Sequence, residues 1–234
     1  MTSEEYWRMF HFVRGDIETA IGCSSTYLTI NRLATNDHNI AQKYNRNADF
    51  WRATAYALQT GLFMAVGRVF DQTKNTYTIE DVVEQTIDHP GFFNKAALRQ
   101  RKRDSLNLFG DQPDPDWLPP YVANAWEPSR TSLEILRSEL KPHVEKFIEV
   151  YEPIRHKYFA HRGKDSQEAI AELFKKAVIT EMGAILRFAY GVVMGIQDMA
   201  NNATLPGQWT SDKSYDSLFK EYEDSAETLV KGVK

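Results

Sequence analysis

The chain has a single cysteine, Cys23. No disulfide can form within it, and no zinc site can be built on thiolates. Cys23 lies beside Gly22, Ser24 and Ser25 and reads as an inert helix residue rather than a nucleophile. An excess of positive charge is also missing. Lys plus Arg number 28 against 32 Asp plus Glu, a net charge of -4. That argues against coating nucleic acid through bulk charge and leaves room for a local basic site. Residues Met1 to Trp7 carry neither the basic region nor the apolar core of a signal peptide. No apolar run reads as long enough to span a bilayer. Glu-x-x-His pairs are absent, which removes a ferritin-like di-iron bundle. A Gly-rich phosphate loop and Ser or Cys nucleophile motifs are absent as well. These absences give a cytoplasmic protein with no membrane segment, no metal site and no cofactor as the expectation.

What is present is helical pattern. With 42% hydrophobic and 26% charged residues over 234 positions, a large core can form without metals or disulfides. Ser3 followed by Glu4 and Glu5 reads as a helix start. Apolar residues recur through Trp7, Phe10, Val13, Ile17, Ile21 and Leu28. A second helix from near Asp49 is apolar on nearly every face, so a central, buried position is expected. Thr78 opens a short helix, and another runs from Phe93 to Arg103. Residues 104–128, rich in proline and aromatics, read as a loop packed across the helices. From Ser129, Leu133, Leu140, Phe147, Ile154 and His161 form a line at seven-residue spacing, with Val144, Tyr151 and Tyr158 beside it. Pro142 is expected to kink this helix or start a new segment, and Pro153 to remove a hydrogen bond one turn before its end. One long helix follows Ser166, with Phe174 to Met199 along one side, and a last amphipathic segment carries Tyr215 to Leu229. No strand-like alternation and no repeats occur. The fold class is all-α: four main helices with shorter extra ones, in a single domain over residues 1–234. Helices at 4–35 and 213–230 are expected to pack on a core of roughly 45–200.

The chemistry concentrates in Tyr151 to Arg162. Arg155 is a permanent, fork-shaped cation suited to phosphate. His161 exchanges protons near neutral pH. A histidine on an apolar line is usually a satisfied core residue, but Arg155 six positions earlier raises its weight. On an α-helix those six positions separate the two by about 120°, with Tyr158 between them. Arg155, Tyr158, His161 and Arg162 are therefore expected on one contiguous patch. The basic run Arg99, Arg101, Lys102 and Arg103 reads as a solvated helix end rather than an RNA path. Glu181 could pair with a basic motif residue or stand exposed.

The run Arg155-His156-Lys-Tyr-Phe-Ala-His161 resembles the motif of the HEPN superfamily: Arg, a polar residue, a few residues, then His. The similarity is to its abortive-infection (AbiU-type) bacterial branch. That branch shows Arg-(apolar)-Phe-Asp at the end of an upstream helix, matched by Arg68-Val-Phe70-Asp71, with a short helix after it, matched near Thr78. The resemblance runs over roughly residues 45–200. It implies an all-α bundle that dimerises and joins two motifs in one cleft. It also implies a metal-independent RNase in phage defence or a toxin system, or else a non-catalytic module binding a nucleotide or partner protein. Carried over by position, the catalytic residues are Arg155, His161 and His156. Tyr158, Lys157 and Arg162 are the expected substrate-binding residues. The expected partners are RNA, a second copy of the chain, and an antitoxin or other defence-system protein.

Overall fold

The computed structural model describes residues 1–73, 76–160, 166–204 and 213–232. Every regular element among them is helical. The first part of the chain gives α1 (Ser3–Asn36), α2 (His38–Arg46), α3 (Ala48–Val69), α4 (Ile79–Asp88), α5 (Lys95–Ser105) and α6 (Leu118–Asn124). Then α7 (Arg130–Lys146) passes into a π turn, Phe147–Tyr151, a single α turn α8 (Glu152–Ile154), and a π segment, Arg155–Ala160. The last helices are α9 (Gln167–Lys176), α10 (Ile179–Asn202) and α11 (Lys213–Gly232).

Caps set the starts. Thr2, one residue before Ser3, is the N-cap of α1: Glu5 N donates to Thr2 Oγ1 and Thr2 N donates back to Glu5 Oε2. Thr78 with Asp81 and Ser129 with Ser132 close the same reciprocal boxes on α4 and α7. Each such cap is worth about 1 kcal/mol. The packing then follows the apolar stripes. Tyr6, Phe10, Val13, Ile17 and Ile21 of α1 are fully buried, and α1 lies along α3 and α11. Gly61 of α3 allows the approach, since a side chain there would run into Cys23 Sγ. Facing them, α10 buries Met182, Ile185, Leu186, Ala189, Val192, Val193 and Ile196 against α1, α5, α7 and α11.

Several expectations change. Only the second half of α3 is interior; Phe50 (63% exposed) and Tyr56 lie on the surface, and α1 and α10 are the central helices. The helix expected after Ser166 is two helices. Ala177 and Val178 are extended, and the β-branched run Val178-Ile179-Thr180 favours that break. Tyr151 Oη donates to Val178 O at 2.8 Å and fixes the break in place. By length and composition α10 could cross a membrane, against the sequence reading that no run could. In this fold its apolar face is taken up by the bundle. The 104–128 stretch contains α6, and it packs only in part: Trp126 lies against the core, whereas Phe109 and Trp117 are exposed. The basic run is a clamp, not a solvated end. Arg99 and Arg103 both pair with Asp114 and pin the loop. Arg101 donates to Ala200 O and Phe92 O, and so satisfies a carbonyl at the end of α10.

Candidate functional site

The site is set by what happens to the long helix after α7. α7 runs through Pro142 without ending there. Pro153 has no N–H to give and its ring crowds the carbonyl one turn back. The chain answers by widening. Glu152 N–H donates to Phe147 O, five residues back, and π geometry returns from Arg155 to Ala160. π turns are rare and often found at functional sites. Leu133, Leu140, Phe147 and Ile154 of the seven-residue line are all buried in the protomer's own core. Those four residues therefore offer no surface to a second copy.

A wider turn changes where Arg155 points. Its side chain lies across α3 and is 12% exposed. Gly67 makes this possible, because a Cβ there would overlap Arg155 Nε and Cδ. Arg155 Nη2 faces Asp71 Oδ2 at 3.6 Å, and Asp71 is equally buried. At that distance the pair is ionic rather than a hydrogen bond. Asp71 Oδ1 is engaged by Thr73 N at 2.9 Å. Arg155 Nε is buried with no hydrogen-bond partner among the described residues. Such a group costs about 1–3 kcal/mol and calls for a reason.

The rest of the π segment runs back along α3. Phe159 stacks on Phe63 at 4.6 Å, and Tyr158 meets Tyr56 edge-on at 6.4 Å. Gln59, Phe63 and Gly67 thus form a ladder at four-residue spacing on the face of α3 toward the motif, and Asp71 continues the spacing just past the helix end. The upstream Arg68-Val-Phe70-Asp71 match resolves into three ties. Arg68 forks onto Asp16 of α1 with Nε 3.0 Å from both carboxylate oxygens. Phe70 is buried and stacks on Phe147 at 5.1 Å. Asp71 takes Arg155.

The predicted site residues fare differently. Arg155 and Tyr158 do not share one patch: Arg155 turns to Gly67 and Asp71, Tyr158 to Tyr56, Phe159 and Phe174. The 120° spacing assumed α geometry, which the π segment does not have. His156 is half-exposed, with Nε2 3.5 Å from Glu152 Oε1. Lys157 is exposed. His161 and Arg162 lie outside the described residues. Glu181 faces Lys146 Nζ at 3.1 Å, and among the described residues it pairs with none of the motif. Its charge, after burial, helps push the Tyr151 phenol up to about 12. Among the described residues no three His, Cys, Asp or Glu side chains converge as a metal would need. Gly67 is the residue of this arrangement that sequence reasoning missed. Its signal was a glycine inside an otherwise apolar helix, which commonly marks a close approach.

The all-α bundle, in which the Arg155 motif meets an Arg-Val-Phe-Asp helix end, agrees with the abortive-infection HEPN resemblance. The family model described as AbiU2, of HEPN type, matches residues 3–229. The chain belongs to that family. The match takes in α1 and most of α11, beyond the span over which the motif itself is similar. No curated protein and no solved structure matches the chain.

Proposed function

We propose that the protein is a metal-independent endoribonuclease of HEPN type, acting in the cytoplasm in phage defence or as the toxin of a toxin–antitoxin pair. The observation that carries this reading is Arg155: a guanidinium seated on Gly67, charge-balanced by Asp71, with Nε unpartnered among the described residues. A preorganised, incompletely satisfied cation is what an electrostatic stabiliser of a phosphate needs. Arg155 would hold the scissile phosphate. His161 would take the proton from the 2′-hydroxyl or give one to the leaving 5′-oxygen. His156 would assist, and Lys157, Tyr158 and Arg162 would contact the substrate. The 2′-hydroxyl makes RNA the substrate rather than DNA. A homodimer is part of the proposal: light scattering should give about twice the 27.0 kDa chain mass. Tyr56 and Tyr158, both exposed beside the motif, are the apolar surface a partner copy would cover.

The test is incubation of the pure protein with mixed RNA in EDTA. Cleavage is expected. Arg155→Ala and His161→Ala should each abolish it with the fold intact, and the double variant should be little worse than either. His156→Ala should reduce activity less. A folded His161→Ala protein that cleaves at the wild-type rate overturns the nuclease reading. The second reading is a non-catalytic module that binds a nucleotide or a partner protein. Its support is the burial of Arg155, which no phosphate reaches until the pair with Asp71 opens.

A further inference from the structure

A cavity of about 380 Å³ lies one step along the same face of α3. Its walls include Phe63, Tyr151 and Phe174, and Met182 and Leu62 close its apolar end. Val178 and Ile179, both exposed, also line it. The volume falls in the range of small-ligand sites, roughly 300–1,000 Å³. Two of its walls belong to the motif's own packing: Phe63 stacks on Phe159 and Phe174 packs on Tyr158. Phe63 is one helical turn from Gly67, a rise of about 6 Å. That is comparable to the span from a backbone phosphate to the base of the same nucleotide.

The polar groups at the other end choose the ligand. Gln59 Nε2 donates to Tyr27 Oη at 2.9 Å. Gln59 Oε1 is thereby left to accept, and the Tyr27 hydroxyl, having accepted, is left to donate. Asn31 repeats the pattern: its Nδ2 donates to Tyr27 O at 2.8 Å and its Oδ1 remains an acceptor. An acceptor beside a donor, in a slot walled by aromatic rings, matches a planar base edge on which a donor, an amino group or ring N–H, stands next to a ring nitrogen or carbonyl. We infer that this cavity is a nucleobase subsite for the substrate RNA. The inference rests on the ribonuclease reading for its biological ligand, while the chemistry of the cavity stands by itself.

Free nucleosides are the probe, since they carry the base without the phosphate. Adenosine, guanosine, cytidine and uridine are titrated calorimetrically into the wild-type protein and into Gln59→Ala and Asn31→Ala, with inorganic phosphate as control. Inorganic phosphate should not bind, and at least one nucleoside should bind saturably. Gln59→Ala should weaken it about tenfold, the scale of one lost hydrogen bond. Circular dichroism checks that the variants fold; neither residue is fully buried, so both should. If no nucleoside binds at millimolar concentration, or if both variants bind like wild type, the subsite is refuted. Repeating the titration with His161→Ala separates the two claims. Binding without any RNA cleavage by the wild type sinks the nuclease and keeps the subsite, and cleavage without nucleoside binding does the reverse.

Discussion

Arg155 lies where Gly67 has no side chain. The guanidinium crosses α3 at the one point of the Gln59-Phe63-Gly67 ladder that would admit it, and reaches Asp71 just past the helix end. Two features that look unrelated in the chain, a glycine in an apolar helix and an aspartate in a turn, are the two halves of one cation's seat. The pair is loose at 3.6 Å, and Nε has no partner among the described residues. Arg155 is thus confined by shape more than by hydrogen bonds.

Gly67→Ala tests the shape. In an ordinary helix this change stabilises by about 0.5–1 kcal/mol. Here the new methyl group meets Arg155, and overpacking of that kind costs about 1–3 kcal/mol. Chemical denaturation should show a net loss in the wild-type background. With Arg155→Ala in place the clash is gone and the same change should stabilise. Equal effects in both backgrounds would show that Gly67 and Arg155 do not touch.

Asp71→Asn tests the charge. It leaves a buried guanidinium without its counter-ion, and the expected cost is about 1–3 kcal/mol in urea unfolding. The partner change Arg155→Met should remove most of that cost, because no buried charge then remains. Additive losses in the double variant would mean that the two side chains act independently.

The sequence made much of the fold legible. Thr78 and Ser129 announce their helices through residues that can satisfy free N–H groups, and the structure forms those caps. The seven-residue line from Leu133 to Ile154 is buried as its period requires. What escaped was set by context. The split at Val178 depends on Tyr151, 27 residues away, donating to its carbonyl. The role of Arg99 and Arg103 depends on Asp114, and a charge run gives no hint of its partner. The direction of Arg155 was misjudged because an α period was carried past Pro153, where the chain turns π. The Arg-Val-Phe-Asp match was visible as a string; that Asp71 faces Arg155 was visible only in three dimensions.

His143 gives a pH dependence. It stacks on Phe188 with ring centroids 4.0 Å apart, and burial pushes its pKa below the ordinary value. Above about pH 6.5 the ring is neutral folded and unfolded, so it contributes nothing. As pH falls through that value the unfolded chain gains a proton that the folded protein resists, and stability is lost. The unfolding free energy of the wild type should therefore fall relative to His143→Phe between about pH 6.5 and the depressed folded pKa. The two proteins should keep a constant difference above that range. Parallel curves throughout would mean that His143 titrates normally in the fold.

Pro153→Ala asks whether the π geometry aims Arg155. Alanine restores the missing N–H and removes the ring, so the segment from Phe147 onward can wind as an α-helix. Relief of a proline inside a helix is worth up to about 3 kcal/mol, and thermal stability should not fall. The residues beyond it would then rotate, and Arg155 would leave Gly67. Two measurements follow from that rotation. The coupling between Arg155 and Asp71 in a double-mutant cycle should shrink toward zero in the Pro153→Ala background. Gly67→Ala should switch from destabilising to stabilising there, as it does when Arg155 is removed. If Pro153→Ala is as stable as expected and both couplings persist at full size, the proline does not set the direction of Arg155. The buried stack of Phe70 on Phe147 would then be the element that holds the segment in register.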